Sequence, residues 1–482
     1  MSTPTVGPGP TSEELRDALA EAAAWVAGYL ESVGERPVLA QVEPGEIAAR
    51  LPADPPRQGE PLERLLADVD ALILPGITHW NHPAFFAYFG ITGSGPGIVG
   101  ELIASALNVN AMLWRTSPAA TELEQRTLAW VLELLGLPAG WFGQITDTAS
   151  SSTLYALAAA REAAGLDIRR RGMAGRTDLP PLRVYTSAEA HSSVEKACIA
   201  LGIGQEGLVK VATDEAMRMR PDLLDEAIAA DLAAGRRPIA VVATVGTTST
   251  TSVDPVPAIA ESCRRHGLWL HVDAAYGGAA GLLPETRDLL AGCELADSLV
   301  FNPHKWLFTP VDCSLLYTSR AEVLRAAFSV VPFYLTSSEA GVVNLMDYGL
   351  ALGRRFRALK LWMVIRAYGA EGLAALVRGH LELAQRLVAA VAAEPGWELM
   401  APVPLSTVCF RAHPAGIDDE HELERLNAGV VDEVNAGGAA FVSHTKVGDR
   451  YAVRIAIGNA ASGWEHVAAA WDALRAAAAR AG

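Results

Sequence analysis

Between residues 95 and 320, helical-period stretches alternate with short apolar runs. Apolar positions recur at helical spacing over 121–135, 152–164, 192–201, 223–234 and 256–266. Between them lie the runs 182–185, 239–245, 268–272, 298–301 and 314–317, each too short for a buried helix. Near-continuous apolar runs framed by helices predict strands buried on both faces, as in a mostly parallel sheet. The ends of the chain differ. A helix is expected from Thr11, where Thr11 and Glu14 form a capping-box pattern, and another over 62–74 after a proline-rich stretch. After residue 355 the pattern is long helix, then short strands near 406–411 and 451–457, then a last helix from 463. The expected organisation is an α/β chain: an N-terminal helical segment over 1–92, a large domain over 93–370 and a small α+β domain over 371–482.

Composition narrows the partners. The 482 residues are 50% hydrophobic and carry a formal charge of −16, which disfavours nucleic acids and anionic membranes. No apolar run approaches the roughly 20 residues that span a bilayer. The opening MSTPTVGPGPTSEEL has no basic segment followed by an apolar one, so no secretory signal is expected. Five scattered cysteines without a CxxC pair point to neither a disulfide framework nor a zinc site, and fit a reducing, cytoplasmic setting.

The chemistry lies at the strand ends, where open α/β sheets bind ligands. The run 182–185 leads to His191, 239–245 to Thr247 and Thr248, 268–272 to Asp273, and 298–301 to Asn302, His304 and Lys305. The Ser/Thr-rich segment 147–152 leads into a helix, a place for a phosphate. A lysine, a carboxylate, hydroxyls and a histidine on one rim are the set that pyridoxal 5′-phosphate (PLP) needs. The lysine holds the cofactor as a Schiff base, the carboxylate keeps the pyridine nitrogen protonated, and a flat side chain stacks on the ring. Singly, each piece has a plainer reading as a helix cap or a solvated charge. Their order along successive strands is what carries weight.

The chain also resembles the group II PLP-dependent decarboxylases, and among them the aromatic-L-amino-acid decarboxylases. The segments carrying the resemblance are HPAFFAYF (82–89), SPAATELE (117–124), TASSSTLYALAAAREA (148–163), AHSSVEKA (190–197), VVATVGTTS (241–249), LHVDAAYGG (270–278), FNPHKW (301–306), DCS (312–314) and LGRRFRALK (352–360). The resemblance implies a fold-type I PLP enzyme and a homodimer with its active site at the subunit interface. It implies that Lys305 carries the cofactor, Asp273 meets the pyridinium, Ala275 lies against the ring and His191 stacks on it beside the substrate carboxylate. Thr148, Ala149, Ser150, Asn302 and His304 fall on the phosphate side, and Thr248 beside the ring hydroxyl.

In this family a tyrosine on a loop protonates Cα after CO₂ leaves, and relatives that make aldehydes carry phenylalanine there. Tyr334, in the segment 331–341, stands at that position, next to Phe333. The resemblance places Trp80, Tyr88, Phe89, Gly90 and Ile91 in the substrate pocket, with Asn110 and Met112 supplied by the partner subunit. Gly90 stands where aromatic relatives tend to have proline, and Asn110 and Met112 are departures as well. Gly353, where some relatives carry serine, fits an indole side chain. The expected activity is decarboxylation of an aromatic L-amino acid such as tryptophan, phenylalanine, tyrosine or DOPA to its amine. The alternatives are an aromatic aldehyde synthase, a non-catalytic PLP-fold binding protein, and an aminotransferase. Two motifs are set aside. Gly95–Gly100 fits GxGxxG but follows no strand of a βαβ unit. His79 and His82 could mimic a metal pair but have no cysteine or carboxylate beside them in sequence, so no metal is expected.

Overall fold

The structure, a computed structural model, describes residues 11–330 and 341–481. Its centre is a seven-stranded sheet: β1 (Phe142–Thr146), β2 (Leu182–Ser187), β3 (Leu208–Val211), β4 (Arg237–Thr244), β5 (Trp269–Asp273), β6 (Ser298–Phe301) and β7 (Ser314–Thr318). The order is β1-β7-β6-β5-β4-β2-β3. The strands from β3 through β6 pair in parallel, and β7 runs antiparallel to both β6 and β1. All eight positions of β4 but the first are buried, as are all five of β5, because helices cover both faces. A second, antiparallel sheet holds β8 (Trp397–Leu399), β9 (Thr407–Ala412), β10 (Ser443–Val447) and β11 (Arg450–Ala456), in the order β10-β11-β9-β8.

Four strands escape the apolar-run pattern: β8, which is only three residues long, and β1, β3 and β10. β1 contains Gly143 and a buried Gln144, whose amide donates to the Tyr348 carbonyl at 2.7 Å. β3 lies at the sheet edge and β10 at the edge of the small sheet, where polar side chains such as Lys210 and Lys446 are tolerated. The expected helix over 62–74 is α-helical only over Leu62–Asp68. It widens into a π turn at Val69–Ile73 and ends in a 3₁₀ turn containing Pro75, which has no N–H to give the α pattern. The capping box at Thr11 is present, with both reciprocal bonds.

Residues 84–87 do not stay with the N-terminal helices. They join the core of the small sheet, with backbone bonds from Phe86 N–H to Phe441 O (2.8 Å) and from Ala456 N–H to Phe86 O (2.9 Å). The helix Ala358–Ala393 links the two cores. Leu373 and Val377 pack into the large one, while Ala384, Leu387 and Val391 pack into the small one. Gly369 breaks this helix at φ 65°, a conformation that glycine adopts without strain. The GxGxxG glycines lie in the helix Gly95–Leu107, at its contact with Ala358–Ala393. A Cβ on Gly100 would sit 2.6 Å from Lys360 Cα, so close helix packing accounts for that residue.

Candidate active site

The carboxyl ends of β4, β5 and β6 lie side by side, with Thr244 paired to Asp273 and Asp273 to Val300. Asp273 is buried, and its Oδ1 accepts from the Ala275 N–H at 3.1 Å. After β6, the short helix Pro303–Trp306 presents Lys305, with Lys305 N–H bonded to Asn302 O at 3.0 Å. Trp306 anchors this turn. Its ring stacks on Tyr276 at 4.7 Å, and its indole N–H donates to His380 Nδ1 at 2.9 Å. Burial drives the Lys305 pKa down; Asp273 pulls the other way, and Arg454 adds to the fall. The lysine is thereby biased toward the neutral amine that can form a Schiff base.

His191 Nδ1 accepts from the Ser193 N–H at 3.1 Å and lies 2.9 Å from the Ser193 hydroxyl. Its pKa is lowered, chiefly by burial, so the imidazole is held neutral with its proton on Nε2. His304 is pushed down to about 4 by burial and accepts at Nδ1 from the Cys313 N–H at 3.0 Å. A cavity of 310 Å³ joins Lys305, His191, His304 and Thr248 to Trp80, Tyr88, Phe89 and Ile91. Phe89 stacks on Tyr276 at 3.9 Å, and Lys305 Nζ lies 5.2 Å from the Phe89 ring centre.

Thr148 is the N-cap of the helix Ala149–Ala163 and makes no side-chain capping bond. The first-turn N–H groups, including those of Ala149 and Ser150, are therefore available to an anion. Two buried oxygens near the strand ends, Asn302 Oδ1 and Thr244 Oγ1, have no hydrogen-bond partner among the described residues. Unpaired buried polar atoms are costly unless a ligand satisfies them. These residues fit PLP: an uncapped helix start for the phosphate, Asp273 for the pyridine nitrogen, and Lys305 for the aldehyde.

Not every expected residue gathers here. Asn110, Met112 and Gly353 do not line this cavity. Asn110 lies beside Gly353, with Nδ2 3.9 Å from where a Gly353 Cβ would be, and beside Met112, 3.5 Å from its sulfur. Gly353 thus groups with the two residues expected from the partner subunit. Gly90 lies between the lining residues Phe89 and Ile91. Tyr334 and its neighbour Phe333 lie outside the described residues. His79 and His82 take plain roles: Tyr29 OH meets His79 Nδ1 at 2.9 Å, and His82 bonds Gly34 O and the Ala84 N–H.

The sequence reading missed one wall. Ser249, Ser443, His444, Thr445 and Arg454 also line the cavity. The polar β10–β11 hairpin brings in the last four, docked by a bond from Thr445 Oγ1 to Ser249 Oγ at 2.9 Å. The available signal was Arg454 itself, a charged residue at the centre of an apolar strand.

A lysine and a carboxylate at adjacent strand ends, with an uncapped helix start in the same domain, are the set a PLP-dependent enzyme of fold type I needs. The chain belongs to the pyridoxal-dependent decarboxylases: the description "Pyridoxal-dependent decarboxylase conserved domain" matches residues 44–413. It is 40% identical over 475 residues to a phenylacetaldehyde synthase of Arabidopsis thaliana, covering 96% of each chain. It is 39% identical to tryptophan decarboxylase 2 of Oryza sativa subsp. japonica, covering 96% of this chain and 94% of the other. The crystal structure of Oryza sativa TDC with PLP and tryptamine superposes with a TM-score of 0.93 at 36% identity, over 100% of this chain and 99% of that one. Among the described residues, no helix is long and apolar enough to cross a membrane.

Proposed function

We propose that this PLP-dependent decarboxylase converts an aromatic L-amino acid to its amine and CO₂. The observation that carries the reading is the cavity in which Lys305 and His191 share walls with Trp80, Tyr88 and Phe89. Flat apolar walls favour an aromatic side chain. PLP, when bound, supplies the electron sink for the pair left as the carboxylate departs. Lys305 would hold the cofactor. Asp273, fixed by the Ala275 N–H, would favour a proton on the cofactor's ring nitrogen. The neutral His191 presents a flat ring, and its Nε2–H is free to meet the leaving carboxylate. Thr148, Ala149 and Ser150 would hold the phosphate with Asn302 and His304, and Thr248 and Ala275 would border the ring. The Tyr334 hydroxyl delivers the proton to Cα.

Active sites are completed by a second copy of the chain, which brings Asn110, Met112 and Gly353 to the substrate. Two features support a homodimer: the exposed apolar side chains Val99, Leu102, Ile103 and Leu107 on one helix, and the helix Ser12–Ser32, which has no buried residue. The three-part division at residues 92 and 370 belongs to the same reading, with the N-terminal helices lying on the partner. Five buried, unpaired thiols suit the cytoplasm. The test is incubation of the holoenzyme with a panel of L-amino acids and identification of products by mass. Amine with equimolar CO₂ is expected. Aldehyde with ammonia and hydrogen peroxide as the main products would overturn the reading in favour of an aldehyde synthase.

A further inference from the structure

Arg454 is a buried cation without a counter-ion among the described residues. Three other basic side chains buried to a similar degree are paired: Arg354 with Glu124 at 2.8 Å, Lys360 with Glu101 at 2.9 Å, and Arg411 with Glu398 at 2.5 Å. Arg454 is 4% exposed and has no carboxylate at ion-pair distance among the described residues. Instead its Nε donates to Ser249 O at 2.9 Å, and one terminal nitrogen donates to Tyr88 O at 2.5 Å. Its other terminal nitrogen, Nη2, is buried and has no partner among the described residues. The guanidinium lies over Phe89, 4.6 Å from the ring centre, on the wall of the cavity that holds Lys305. An unpaired buried charge is expensive, and a net charge of −16 shows that acidic residues are not scarce. The cation is fixed in place by two carbonyls and a ring, with one terminal nitrogen left to receive an anion.

Resting on the function proposed above, we infer that Arg454 recognises the substrate's α-carboxylate on entry. The substrate amine must approach Lys305, which shares the Phe89 ring with Arg454, and the carboxylate is attached to the same carbon as that amine. The helix start proposed for the cofactor's phosphate adjoins Asp147 and Ser151, which open on a different cavity from the one Arg454 lines. The lowering of the Lys305 pKa by Arg454 is consistent with an uncompensated charge nearby. An anchor for the ground-state carboxylate raises affinity without lowering the barrier to its loss. It also separates substrate from product, because the amine product has no anion and meets a cation instead.

The test is calorimetric titration of the holoenzyme with 3-phenylpropionate, which has the carboxylate and no amine, and with 2-phenylethylamine, which has the amine and no carboxylate. Arg454→Met is expected to weaken phenylpropionate about tenfold or more and to leave phenylethylamine bound as tightly or more tightly. In turnover, the loss should fall on KM, with kcat changed less. Arg454→Lys keeps the charge without the fork, so its loss should be smaller and again confined to the carboxylate ligand. Equal losses for both ligands would show that Arg454 only holds Tyr88 and Ser249 in place, and no loss would show that it meets no carboxylate; either overturns the inference. If Arg454→Met does not fold, the Arg454→Lys comparison decides alone by the same criteria. A wild-type enzyme that makes no amine from aromatic amino acids would defeat the proposed function, while the two-ligand comparison would still report on Arg454.

Discussion

Lys305 sits between two opposing influences, Asp273 and Arg454, in a site whose burial already disfavours its charge. Such a lysine can accept and release a substrate, but it does not choose the product. That choice falls to proton delivery at Cα, so Tyr334→Phe should lower amine formation by about 10²–10⁴-fold, the usual contribution of a positioned acid. Aldehyde should appear in its place; product analysis by mass checks this, and unchanged amine output would remove Tyr334 from the mechanism. A second residue-scale prediction concerns Asp254. Its carboxylate accepts from Thr244 N–H at 2.8 Å and from Met219 N–H at 2.7 Å, fixing the end of β4 where the site begins. Burial pushes its pKa up to about 6. The folded state therefore binds this proton more tightly than the unfolded chain does, and the associated stability is full below pH 4 and lost as pH rises through about 6. Asp254→Asn does not titrate. Urea unfolding should show wild type losing up to about 3 kcal/mol relative to the variant between pH 4 and pH 6. A pH-independent difference would contradict the assignment.

At the scale of elements, glycines in helices divide by what stands opposite them. Gly100 faces the Lys360 backbone, so Gly100→Ala forces the helices Gly95–Leu107 and Ala358–Ala393 apart. A loss of roughly 1–3 kcal/mol is expected from such overpacking. Gly429, in the helix Glu420–Ala436, has nothing within 4 Å of an added Cβ. There Gly429→Ala should stabilise by about 0.5–1 kcal/mol, because alanine loses less backbone entropy. Denaturant unfolding of the pair measures both, and the same sign for both would refute the packing argument. The same scale shows what was legible from pattern. β4, β5 and β6 are continuous apolar runs because both of their faces are covered, and all three were readable. β1, β3 and β10 carry glycine or polar residues at positions that only neighbouring strands make acceptable, so local pattern could not reveal them.

At the scale of the molecule, the substrate-side residues fall into two groups within one chain: those around Lys305, and Asn110 with Met112 and Gly353. If a second copy completes each site, two inactive chains should rescue each other. Lys305→Ala lacks the cofactor lysine; Met112→Arg blocks the neighbour's pocket. Dissociating and reassociating a mixture of the two should restore activity that neither homodimer has, because one mixed site carries both intact halves. No recovery from a verified mixed dimer would place Met112 outside the site.

The sequence by itself determined which candidate residues stand at the strand ends. Lys305, Asp273, His191 and the Thr148–Ser150 turn are tied to strand ends and a helix start by local rules of chain direction, so their order along the chain already placed them on one rim. It did not determine what closes the rim opposite them. Arg454 and the β10–β11 hairpin reach the cavity from about 150 residues beyond Lys305, through a separate sheet docked against Ser249 and Tyr88. It also left open which pocket residues Gly353 stands beside within one chain; the structure puts Asn110 there. Only tertiary packing decides such contacts, because they depend on how two cores meet and not on the periodicity within either one. The missing counter-ion of Arg454 belongs to this second kind of fact. It stands out only against Arg354, Lys360 and Arg411, which the fold buries beside carboxylates.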